Sequence, residues 1–113
     1  MVNNMYIKSM PKQSGKTTTL IELSESMNIP IYCKNMQEAR LIKSMAKNLT
    51  HNIPEPIVYS PNNKGNEVKG LKHILIDNLD MFYEIPNEIL SIAYAATITS
   101  NEPYTNPVLP YIR

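Results

Sequence analysis

Apolar residues in this chain fall into short continuous runs separated by stretches with helical spacing. Met5-Tyr6-Ile7 is the first run, and residues 4–9 are expected to form a strand. Leu20, Leu23 and Met27 then recur with the period of a helix, which places one over about residues 16–27. Asn28 and Pro30 supply its stop signal. Ile29 to Cys33 reads as a second strand. Asn35 followed by Glu38 has the form of a capping box, with Asn as the cap. Ile42, Met45, Ala46 and Leu49 give the next helix one apolar face, to about residue 49.

Two prolines make residues 52–56 a connector, and Pro56-Ile57-Val58-Tyr59 is a short third strand. Ser60-Pro61-Asn62-Asn63 is a turn signal, and residues 62–70 read as a polar loop. His73-Ile74-Leu75-Ile76-Asp77 is nearly all apolar and closes on an acid, as expected of a strand buried on both faces of a parallel sheet. Pro86 suits a helix's first turn, and Ile89, Leu90, Ala93 and Ala96 extend that helix to about residue 96. A fifth strand is expected over residues 96–100. Strands alternating with helices give an α/β class, a three-layer sandwich around a mainly parallel sheet of about five strands.

Composition narrows the choices. The 113 residues suit one domain, assigned to residues 1–100. Residues 101–113, with Pro103, Pro107 and Pro110, form a proline-rich tail. The net charge of +1 offers no basic footprint, so charge does not support a nucleic-acid partner. Cys33 is the only cysteine, which excludes an internal disulfide and suits a reducing compartment. No apolar run has membrane-spanning length and no secretory signal opens the chain. The expectation is a cytoplasmic protein without a membrane partner.

The chemistry concentrates in Met10-Pro11-Lys12-Gln13-Ser14-Gly15-Lys16-Thr17-Thr18, between the first strand and first helix. A helix start leaves backbone N–H groups unpaired and adds the positive end of its dipole, which favours phosphate. Lys16 adds a point charge for the β/γ-phosphates, and the Thr17 hydroxyl is placed to ligate magnesium. Ile74-Leu75-Ile76-Asp77 supplies the second element, a strand-end carboxylate that orients the metal. In parallel α/β sheets ligands sit at the carboxyl ends of strands, where both motifs fall.

With both motifs in this order, the chain resembles the P-loop NTPases, a minimal version of that fold over about residues 4–100. It looks most like the phage terminase and helicase branch, whose first motif often runs Arg-Gln-x-Gly-Lys-Thr; Lys12-Gln13-Ser14-Gly15-Lys16-Thr17 is similar. Val68-Lys69-Gly70-Leu71 and Thr97-Ile98-Thr99-Ser100 fall where that branch has a segment before the acidic motif and a coupling strand. The resemblance implies binding of ATP, or another NTP, with Mg2+. It assigns Lys12, Gln13, Ser14, Gly15, Lys16, Thr17 and Thr18 to the nucleotide, and Thr17 and Asp77 to the metal.

Three positions depart from the family. Met10 replaces the leading glycine, Lys12 replaces the loop arginine, and Asn78 stands where a catalytic glutamate follows the Asp. Asn cannot take a proton from attacking water, and loss of a general base removes about 10²–10⁴-fold in rate. Lysine keeps the charge of arginine without its planar fork. Lys12 and Asn78 are the candidates for catalysis, Asp80 and Glu84 are substitutes for the base, and Arg40 and Arg113 the remaining candidate fingers.

The expected function is a small phage-type NTP-binding protein whose hydrolysis is slow or dependent on a partner or homo-oligomer. The alternative is a non-catalytic, degenerate P-loop protein that regulates or inhibits a larger assembly, with the proline-rich tail as a docking arm. His51 and His73 lack zinc spacing, Cys33 reads as a buried strand residue, and the tyrosines and methionines read as packing.

Overall fold

The computed structural model describes residues 6–9, 16–60, 62, 66–82 and 85–98. Strand β1 (Tyr6–Ser9) precedes helix α1 (Lys16–Met27); β2 (Ile31–Cys33), α2 (Met36–Asn48) and β3 (Ile57–Val58) follow. A 3₁₀ turn at Asn66–Val68 leads to β4 (Ile74–Ile76). A second at Leu79–Met81 and the one-turn α3 (Asn87–Leu90) lead to β5 (Ala93–Ile98). Every strand pairing is parallel, in the order β1-β5-β4-β2-β3, with β3 contributing two residues at its edge. The expected α/β class and parallel sheet are therefore observed.

The order explains the layers. The chain runs one way across the sheet from β1 to β2 to β3, then back through β4 to β5. Right-handed crossovers put the connections of the two passes on opposite faces. One face carries α1 and α2 over Ile31, Cys33, Leu75 and Ala95; the other carries the 3₁₀ turns and α3 over Tyr32, Ile74, Ile76, Ala96 and Ile98. Strand alternation accounts for this division. It slips once: Ile74 pairs with Ala93 but Leu75 with Ala95, so Tyr94 is an extra residue in β5.

Both long helices end alike. Asn28 takes a left-handed conformation (φ 58°) after α1, and Ile29 N donates to Ser24 O at 3.2 Å. After α2, Thr50 has φ 58° and His51 N donates to Ala46 O at 2.8 Å. These are Schellman closures, with Asn and the less suited Thr where glycine is favoured. At the start of α2, the Asn35 side chain accepts from Glu38 N at 2.8 Å, as the capping signal implied.

Both long helices fall where their periodicity places them, with the buried stripe differing at its edges. Leu20 of α1 is buried, but Leu23 is half-buried and Met27 exposed, and the stripe is completed by Ile21 and Ser24. In α2, Leu49 is exposed and Ala39 joins Ile42 and Ala46 in the core. The third helix stops at Leu90, and Ala93 and Ala96 belong to β5, not to a helix reaching residue 96. Alanine favours helices intrinsically, but pairing between β1 and β4 overrides that preference. Small side chains suit a strand covered on both faces.

Candidate functional site

Lys16 opens α1 at the carboxyl end of β1, and Asp77 follows β4 at the same end of the sheet. Strand β5 lies between them and connects both. Lys16 Nζ donates to Ile98 O at 3.4 Å, and Thr97 Oγ1 donates to Asp77 Oδ1 at 3.2 Å. The same Thr97 oxygen accepts from Asn78 N at 3.0 Å, while Asn78 Nδ2 donates to Asp77 Oδ2 at 3.3 Å. Backbone pairing fixes the base of this cluster, since Asp77 N donates to Tyr32 O at 3.2 Å.

Lys16 and Asp77 are buried, as is Thr97. Burial raises the Asp77 pKa above its usual carboxylate range; the Thr97 hydrogen bond opposes this, Glu38 adds to it, and Lys16 and Lys34 oppose it more weakly. A carboxylate held in such a place is poised to gain from a cation. Asn78, in a left-handed conformation (φ 56°), presents a buried Oδ1 with no hydrogen-bond partner among the described residues. The Asp77 carboxylate lies next to it, held by Asn78 Nδ2 at 3.3 Å, while Thr17 is half-buried directly after Lys16. Carboxylate and amide oxygens are the donor type that a hard cation such as magnesium takes, binding one or two carboxylates and completing its shell with water and substrate phosphate. Among the described residues no three His, Cys, Asp or Glu side chains gather as an all-protein metal cage.

The sequence-derived candidates divide. Lys16, Thr17, Thr18, Asp77 and Asn78 lie at one end of the sheet. Lys12, Gln13, Ser14 and Gly15 lie outside the described residues, as do Met10, Glu84, Arg113, the side chain of Asp80 and the tail at 101–113. Arg40 is exposed on α2. Cys33 is fully buried with its pKa pushed up to about 12, first by burial and then by Asp77 and Glu38. His51 Nδ1 lies 2.8 Å from Glu25 Oε1, joining α1 to the segment after α2.

Two charged residues at the carboxyl end of β2 carry no motif signal in the sequence. Lys34 directly follows β2, the strand beside β4, and pairs at 3.5 Å with Glu38 in the first turn of α2. Their position at a strand's carboxyl end was the available signal; the capping pattern absorbed Glu38 instead. A surface groove of about 430 Å³ lies elsewhere. Its lining from Lys43 to Pro56 surrounds the end of α2 and the start of β3, at the amino end of the sheet.

No protein-family model, curated protein or solved structure matches the chain. Within the described residues, no helix is long and apolar enough to cross a membrane. What the fold and geometry define is a parallel α/β protein with a lysine, a threonine and a buried aspartate clustered at the carboxyl ends of its strands.

Proposed function

We propose that this protein is a minimal P-loop NTPase that binds ATP, or another NTP, with Mg2+ through the loop ending in Gly15-Lys16-Thr17. The observation that carries the reading is the convergence of Lys16 and Asp77 on β5. The two motif residues are 61 positions apart (77 − 16), yet both reach neighbouring residues of one strand, Ile98 and Thr97.

Each group has a defined task. The Lys16 ammonium neutralises phosphate charge, and the start of α1 adds its dipole. Asp77 and Thr17 would hold magnesium, which supplies charge neutralisation at the β/γ-phosphates. Thr97 fixes the Asp77 carboxylate, so the ligand is oriented before the nucleotide arrives. Asn78 carries no basic group, which supports slow hydrolysis or hydrolysis completed by a partner or homo-oligomer.

Calorimetric titration with Mg-ATP tests this reading, wild type beside Lys16→Ala. Micromolar-range binding lost by about tenfold or more in the variant is expected from the removal of a charge-assisted hydrogen bond. Equal binding by both proteins would sink the loop assignment.

The second reading, a degenerate P-loop scaffold regulating a larger assembly, is favoured by the same Asn78. It is selected if neither protein binds any nucleotide.

A further inference from the structure

The residue after Asp77 is an asparagine, yet the segment that follows the neighbouring strand carries a carboxylate. Strands β2 and β4 pair with Tyr32 opposite Ile76, so the turn after β2 lies beside the turn after β4. Lys34 and Asn35 form that turn, and Asn35 caps α2 by accepting from Glu38 N. The cap fixes the backbone of Glu38, whose carboxylate meets Lys34 at 3.5 Å in a half-buried ion pair.

We propose that Lys34 and Glu38 complete the hydrolytic site, Lys34 binding the terminal phosphate and Glu38 acting as general base. The inference rests on the nucleotide reading above. Lys34 and Asn78 each stand two residues beyond the paired Tyr32 and Ile76, so they leave adjacent parallel strands side by side, and the 3.5 Å ion pair brings the Glu38 carboxylate to Lys34. Without nucleotide the pair is self-neutralised. A terminal phosphate offers Lys34 a stronger anionic partner than a single carboxylate and releases Glu38 toward water.

The reaction balances with nucleoside triphosphate and water alone. The water oxygen forms a bond to the γ-phosphorus while the bond from that phosphorus to the β–γ bridging oxygen breaks. That oxygen keeps the electron pair and leaves on the nucleoside diphosphate. Glu38 accepts a proton from the water and returns it to solvent as phosphate departs. Lys34 stabilises the charge on the transferring group.

The test uses the full chain and its Lys34→Ala, Lys34→Arg and Glu38→Gln variants, each checked by thermal melting. Calorimetry compares Mg-ADP with a magnesium complex of a non-hydrolysable β,γ-imido triphosphate; phosphate release from ATP is followed in a single turnover. Lys34→Ala is expected to weaken the triphosphate analogue about tenfold or more and leave the diphosphate unchanged, with Lys34→Arg restoring the difference. Glu38→Gln is expected to bind both nucleotides as wild type does and slow phosphate release about 10²–10⁴-fold. An equal loss of both nucleotides in Lys34→Ala, wild-type release by Glu38→Gln, or a wild type that binds but does not hydrolyse would each overturn the proposal. A wild type that binds neither nucleotide overturns the underlying reading as well.

Discussion

The two faces of the sheet are built on different plans. One is covered by α1 and α2, of 12 and 13 residues, whose apolar stripes meet Ile31, Leu75 and Ala95. The other is covered by two 3₁₀ turns and a four-residue helix, too short to stand without the sheet. Aromatic packing makes up the deficit there. Tyr32 stacks on Phe82 with ring centres 5.6 Å apart, and Tyr59 meets both rings edge-on at 6.4 and 5.8 Å. The Tyr32 hydroxyl donates to Glu67 at 2.6 Å, and Ser60 N donates to the same oxygen at 3.1 Å, tying the 3₁₀ turn to the end of β3. One face is held by repetition along helices, the other by a few large side chains.

The sharpest way to break that contrast is to remove one large residue from each face. Tyr32→Ala should cost about 3–5 kcal/mol and Ile21→Ala about 2–5 kcal/mol. Denaturant titration reads both. A Tyr32→Ala loss smaller than that of Ile21→Ala would mean that the aromatic cluster is not the keystone of its face.

Asp77 stands at the border of the two plans, and its stability effect should run opposite to its functional one. Its pKa is raised on folding, so its contribution is favourable below the ordinary 3.8 and is lost as pH rises through the folded value. At neutral pH without magnesium, Asp77→Asn should melt at or above the wild-type temperature, while Mg-dependent nucleotide binding falls. A lower melting temperature for the variant would show that the charge is already compensated.

The helical face has its own small pinning contacts. Asn35→Ala should cost about 1 kcal/mol through loss of the α2 cap, measurable by thermal melting. Glu25 accepts from Asn52 N and lies against His51, which hold its pKa below the ordinary 4.5. The stability it contributes is present above 4.5 and fades as pH falls through the lower folded value. Glu25→Gln should accordingly lose stability near neutral pH and converge on wild type in acid. Thr50→Gly should gain up to about 1 kcal/mol, as release of the left-handed strain exceeds glycine's entropic cost.

The same contrast explains what could be read in advance. Asn35, Pro30 and the run from Ile74 to Ile76 carry local signals, and the elements around them were placed almost to the residue. The order of the two strand-end motifs singles out Lys16 and Asp77, and the fold sets both at the same end of the sheet. Ala93 and Ala96 were misassigned because their strand state is decided by β1 and β4, which no window of local sequence contains. Lys34 and Glu38 carry no local signal for a similar reason, since only the pairing of β2 with β4 sets the segment after β2 beside the one that holds Asp77.

Cys33 offers a use beyond packing. It is the sole thiol of the chain, sits on the strand next to Asp77, and is sealed from solvent with its proton firmly held. A thiol reagent can label it only when that part of the sheet opens. Labelling rate at constant reagent concentration therefore times the opening of the sheet's central region, with no probe added to the molecule. If a nucleotide braces the carboxyl ends of the strands, that clock slows in its presence.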